Sequence, residues 1–362
     1  MQLRPLFFCL IISLVIAPQS FANDGWRDAS DLIPQTYLDD RIHLPYLSFI
    51  KSRGQEWLIG NPNQLFKYSE TEIIDLTPKL KQIGFKNIRQ IAGDGQSWLI
   101  IGDSSIWLQA PDLFFHYDGN YLKDISSTFQ HLADDDYVGQ ISGKQGMWLI
   151  PTKYSLYAWH SSLLNPYKIN LPDSFKEPRL QEPRIYPIVN GWIIDFVQKN
   201  GPKSIASGND QLDRRFFYYH DDQFQEITSA LGNLSHISIL QSNGQQLLAM
   251  GSSFVDINKS VYRAYLTDGN HFQDISNDFA KIFNPDVPDK FQPYINQGFI
   301  TNIGRNWIIA DSTHNALLYH HPSISKISGQ KILLNSGYGT NHAIFVGYKI
   351  KDGQNLPALL IY

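Results

Sequence analysis

Apolar residues along this chain fall in short runs punctuated by glycine turns. The fullest example, Gly95 to Ser126, reads GQSWLIIGDSSIWLQAPDLFFHYDGNYLKDIS. A glycine turn leads into a continuous apolar run; an apolar-aromatic run, a DG turn and an alternating segment follow. A continuous run this short suits a strand buried on both faces, whereas alternation marks a strand with one face in water. DG between apolar segments signals a hairpin, because its central residues take positive φ. The same grammar recurs seven times, at Gly54, Gly95, Gly146, Gly191, Gly244, Gly304 and Gly339, with apolar runs from Trp57-Leu58-Ile59 through Ala343-Ile344-Phe345. Each copy has an apolar stretch before the glycine (strand a), the run itself (strand b) and a short aromatic segment (strand c). A polar-alternating strand d, such as Phe272 to Ser276, completes it.

Units that cannot bury their own apolar faces must stack on copies of themselves, and a spacing of about fifty residues is that of a propeller blade. The expected fold is all-β, a seven-bladed β-propeller of four-stranded antiparallel blades. The seventh copy ends at Tyr362 without a strand d. Trp26 to Leu32, WRDASDL, supplies it, since Asp31-Leu32-Ile33-Pro34 parallels the exit Asp75-Leu76-Thr77-Pro78 of the first copy. The ring is then closed by the N-terminal strand, which leaves no open apolar edge. With WLIG at Trp57 to Gly60 followed by Leu65-Phe-Lys-Tyr68, and WLIIGDSS followed by LFFHYDG, the chain resembles the WD40-like repeats of bacterial periplasmic sensor and secreted propellers. The resemblance implies a scaffold and no activity: the aspartate boxes of sialidases and the calcium loops of integrin-type propellers are both missing.

Composition adds a location. Residues 1–22 carry Arg4, an apolar core from Leu6 to Ala17 and Ser20-Phe21-Ala22, the pattern of a signal peptide cleaved before Asn23. The expectation is an exported, periplasmic or extracellular protein with one propeller domain over residues 23–362, no transmembrane segment and a monomeric state. Cys9, the one cysteine, lies in the leader, so the mature chain has no disulfide and no cysteine nucleophile or metal ligand. A net charge of −4 with scattered Lys and Arg gives no footprint for nucleic acid.

Candidate chemistry is sparse, with no nucleophile elbow, phosphate loop or zinc-protease helix. Insertions fall in the b–c and blade-to-blade connections, for example 195–215 and 349–357, so that face is the expected binding face for a glycan, peptide or protein partner. Asp103, Asp195 and Asp311 end strand b in three copies. Either they converge at the channel mouth on a sugar or a divalent cation, or each caps its own turn. No cofactor is predicted. Arg214 and Arg215, with Lys199 and Lys203, form a basic patch for an anionic partner or a solvated loop, and Trp107 in the b–c insertion suits stacking on a sugar or protein. Asp134 to Asp136 lacks the spacing of a calcium loop, and adjacent His320 and His321 point opposite ways. Three functions fit: a binding module, a hydrolase or lyase working through those carboxylates, or a purely structural envelope component.

Overall fold

The computed structural model describes residues 27–29, 32, 49–53, 56–69, 72–105, 113–135, 138–152, 155–163, 165–172, 183–198, 213–256, 259–283, 299–303, 306–310, 316–327, 332–339, 343–351 and 354–361. Their strands form seven four-stranded sheets. Six are meanders of strands a to d in chain order, as in sheet two (Asn87–Gly93, Trp98–Asp103, Leu113–Tyr117, Leu122–Asp124). Sheet seven takes its fourth strand from Arg27–Asp28, which pairs antiparallel with the last strand, Arg27 opposite Ile361 and Asp28 opposite Leu360.

The run that opens strand b is apolar because its alternate residues enter different layers. Trp98 and Ile100 pack with Leu58 and Leu65 of sheet one. Leu99 and Ile101 pack with Trp148 and Ile150 of sheet three. Sheets three and four share a layer in the same way, as do sheets four and five and sheets five and six. A tryptophan buries about 150–250 Å², which at about 25 cal/mol per Å² contributes about 4–6 kcal/mol. In sheets one, two, four and six this ring faces a strand-c tyrosine directly across the ladder, with centroids 5.6–6.2 Å apart. The first strands touch in succession from sheet one to sheet seven, and the first strand of sheet seven also touches that of sheet one.

The exit from strand d repeats a hydroxyl device. Thr77, Ser126, Thr228 and Ser276 each accept the backbone N–H of a strand-c residue at 3.0 Å, while the residue before each buries its side chain. In sheet seven that buried place belongs to Ala29, whose carbonyl accepts from Leu32 N–H at 3.1 Å. The exit is therefore Asp28-Ala29, three residues before the Asp31-Leu32 match that the sequence suggested. Short helices, not expected from the strand grammar, follow the exit: Thr77–Gln82, Ser126–Asp135 (3-10) and Ser276–Phe283. Each drops an apolar side chain, Leu80, Phe129 or Phe279, into the wedge between sheets. Asp134 and Asp135 end the second of these helices, and Asp136 lies outside the described residues.

On the opposite face from the b–c connections, the a–b turns are tied to one another. Gln145 N–H donates to Asp94 O at 2.9 Å and Gly146 N–H to Asp94 Oδ2 at 2.8 Å. Lys144 Nζ donates to Ile188 O and Val189 O, both at 2.6 Å. Val189 N–H donates to Gln245 O at 3.0 Å, and Ser242 Oγ to Pro187 O. These bonds link sheets two, three, four and five in series. One expectation changes with the ladders. Residues 349–357 are not an insertion, since strands Ala343–Lys351 and Gln354–Ile361 form a hairpin. Strand a of sheet three begins at Ser142, leaving Val138 in a lone bridge to Thr152.

Candidate functional site

Sheet four (Arg184–Ile188, Gly191–Gln198, Asp213–His220, Gln223–Glu226) holds most of the chemistry among the described residues. Asp195 and Arg214 are not in a loop, as the spacing suggested. Asp195 lies within strand b, opposite Arg184 on strand a and Phe216 on strand c, and Arg214 is paired opposite Val197. Residues directly opposite share a face and alternate residues return to it, so Arg184, Tyr186, Asp195 and Arg214 all point toward sheet five. Arg215, one residue on, takes the other face, which separates the two members of the expected basic pair.

Asp195 is fully buried, and Arg214 Nε lies 3.1 Å from its Oδ1. That approach is an ion pair out of hydrogen-bond alignment: neither Asp195 oxygen nor Arg214 Nε has a hydrogen-bond partner among the described residues. Burial pushes the Asp195 carboxyl up to about 6, against the opposing pull of Arg214 and Arg184. Burial likewise lowers Arg214, and it raises the Tyr186 phenol with help from the charge of Asp195. Two guanidinium groups thus face one reluctant carboxylate at the b–c end of the sheet.

Asp103 is engaged differently. It accepts from Arg89 Nε at 2.7 Å and from Asn87 Nδ2 at 3.3 Å, both on strand a of its own sheet, and is buried. Counted from the Trp–Tyr pair of each sheet, Asp103 sits two residues further along strand b than Asp195. It faces sheet three, with Leu99 and Ile101. The two carboxylates therefore neither occupy one structural place nor converge, and neither is the cap of a turn. Trp107 and Asp311 lie outside the described residues, as do Lys199 and Lys203. His321 meets Asp278 Oδ2 at 3.1 Å, Tyr319 Oη at 2.8 Å and Gln273 Nε2 at 2.7 Å, tying sheets five and six. Among the described residues no group of three or more His, Asp or Glu forms a metal cage.

A cleft of about 420 Å³ opens at the other end of sheet four, against sheet three, on the face of the a–b and c–d turns. Its aromatic lining is Trp192, Tyr219 and the half-exposed Tyr167; its polar lining includes Lys144, His160, Asn190 and Asp222. Lys144 Nζ is 5.7 Å from the centre of the Trp192 ring and is lowered by burial. Tyr219 donates its hydroxyl to Asp222 Oδ1 at 2.7 Å; burial, then this bond, raises its phenol. Gly191 is required at the edge of the cleft because a Cβ there would collide with the Tyr219 carbonyl. The sequence offered one signal for this site. The c–d turns of sheets two and five place Gly119 and Gly269 at positive φ, whereas sheet four puts Asp221 at the matching position.

No family model matches the sequence, and no curated protein matches it at significant similarity. Solved structures do. The propeller domain of the trilobed protease from Pyrococcus furiosus superposes with a TM-score of 0.52 at 8% identity, covering 87% of this chain and 92% of that one. The chain is a β-propeller. The acylaminoacyl peptidase from Pyrococcus horikoshii matches with a TM-score of 0.50 at 9% identity over 86% of this propeller, which spans about half (52%) of the peptidase. At these identities the likeness is one of fold. No helix among the described residues is long and apolar enough to cross a membrane.

Proposed function

We propose that this protein is an exported seven-bladed propeller, its ring closed by the N-terminal strand, that acts as a binding module for a ligand bearing a carboxylate. The pairing of Arg27–Asp28 with the last strand supports closure, together with the succession of first strands that returns from sheet seven to sheet one. On this reading residues 1–22 serve as the signal peptide and residues 23–362 form one monomeric domain; mass spectrometry of the secreted chain should then find Asn23 as its first residue.

The observation that carries the binding assignment is the excess of positive charge at the b–c end of blade four. Arg184 and Arg214 flank Asp195, whose ionised form is disfavoured by burial. A guanidinium offers a carboxylate two parallel donors, and Arg184 is exposed at the rim. An acidic glycan or the acidic side chain of a peptide or protein partner meets this requirement; no cofactor is invoked. Hydrolase or lyase chemistry through paired carboxylates is the weaker account, since Asp103 and Asp195 face different blades and each already meets an arginine of its own sheet.

Titration with tri-galacturonate and with an Asp-rich hexapeptide tests the proposal, with neutral counterparts as controls. At least one acidic probe binds, and Arg184→Gln weakens it about ten-fold, as loss of a charge-assisted pair requires. Binding tightens as pH falls from 7.5 to 5.5, because protonating Asp195 removes the competing anion, and Asp195→Asn abolishes that pH dependence. Equal affinity in wild type and Arg184→Gln would falsify the assignment.

A further inference from the structure

The cleft between blades three and four has a chemistry of its own, independent of the arginine cluster at the opposite end of blade four. Its volume, about 420 Å³, lies within the range of small-molecule sites. Its walls combine three aromatic rings with groups of both hydrogen-bonding signs. Lys144 and Asn190 supply N–H donors, and Asp222 and Asn190 supply acceptors. Two of the three Lys144 N–H bonds go to Ile188 O and Val189 O, which fixes the ammonium against the Trp192 ring. Asp222 is fixed by the Tyr219 hydroxyl.

The turn that carries Asp222 is backbone-strained for its composition. Asp221 and Asp222 both adopt left-handed conformations, φ +46° and +58°, at a turn where blades two and five use a glycine. Non-glycine residues in that region cost free energy and cluster at ligand sites. Here the strained pair sets one carboxylate into the cleft and the other at its rim.

From this arrangement we propose that the cleft binds a neutral saccharide of one or two rings. A sugar hydroxyl both donates and accepts, so it can satisfy Asp222 and the remaining Lys144 proton together, while the C–H face of the ring lies on Tyr167 or Tyr219. A simple anion would confront Asp221 and Asp222. A simple ammonium would confront Lys144.

Saturation-transfer NMR and calorimetry of the purified protein with cellobiose, maltose, lactose and diacetylchitobiose decide the matter. At least one of them binds, Tyr167→Ala lowers its affinity about ten-fold as loss of a stacking ring does, and Asp222→Asn lowers it several-fold. Arg184→Gln leaves it unchanged, which separates this site from the one on the opposite face. Melting curves check that each variant is folded; should Asp222→Asn fail to fold, the Tyr167→Ala comparison decides. The proposal is overturned if none of the four sugars binds, if Tyr167→Ala binds as wild type does, if Arg184→Gln abolishes binding, or if ethanolamine or acetate binds the cleft more tightly than every sugar.

Discussion

The two ends of blade four place charge beside aromatic rings in opposite circumstances. At the b–c end, Asp195 and Arg214 are enclosed between blades, 3.1 Å apart and out of hydrogen-bond alignment. At the turn end, Lys144 and Asp222 border an open cleft, and each is satisfied by a defined hydrogen bond. Water and good alignment make the second arrangement cheap; enclosure makes the first costly, since desolvation of two ions offsets much of their attraction. Blade four thus has one end whose charge state is poised to change and another, shared with blade three, whose geometry is fixed.

The largest effect is expected from Arg214→Met. It strands a buried carboxylate and should cost about 3–5 kcal/mol at pH 7.5 in urea unfolding. Part of that loss returns at pH 5, where Asp195 takes a proton; a variant as stable as wild type at both pH values would show the pair to be energetically idle. Next is the pH profile of the wild type. The Asp195 carboxyl is raised from 3.8 to about 6, so between those values the native state keeps a proton that the unfolded chain gives up. Stability must therefore fall as pH rises through that window, by about 3 kcal/mol at 1.36 kcal/mol per pH unit, and stay level above it. Asp195→Asn should remove this component of the slope.

At the turn end, Lys144→Met should cost about 2 kcal/mol, the loss of two charge-assisted bonds that tie blade three to blade four. Destabilisation confined to hydrogen exchange near Val189 would place the effect at that seam, and uniform destabilisation would not. The smallest change is a gain. Asp221→Gly should stabilise by roughly 1 kcal/mol, because glycine takes the left-handed conformation without penalty. A loss instead would mean that the Asp221 carboxylate compensates for its own backbone.

Much of the scaffold was legible in the sequence, because burial on both faces keeps the opening run of strand b apolar, and a drifted repeat still shows its Trp-Leu-Ile. The recurring Asp-Ile-Ser exit, as at Asp124-Ile125-Ser126, was legible too; only its copy at Asp28-Ala29 was misplaced, since alanine hides the apolar signal. The site was far less visible. Asp195 and Arg214 were singled out, but strand pairing, not loop membership, brings them together, and it adds Arg184 and Tyr186, which sit in a strand that reads as core. Trp192 and Tyr219 repeat the ring pair of the other blades; what makes them walls of a cleft is the packing of two blades, which no single repeat encodes.

The pairing of Arg27 with Ile361 joins a strand made early in synthesis to one made long after it. During synthesis Arg27–Asp28 has no ladder partner until Gln354–Ile361 has been made, so this sheet gains its fourth strand only after the strands of the other six sheets exist. A variant lacking Gln354–Ile361 retains the strands of the other six sheets and leaves Arg27–Asp28 with no strand to pair.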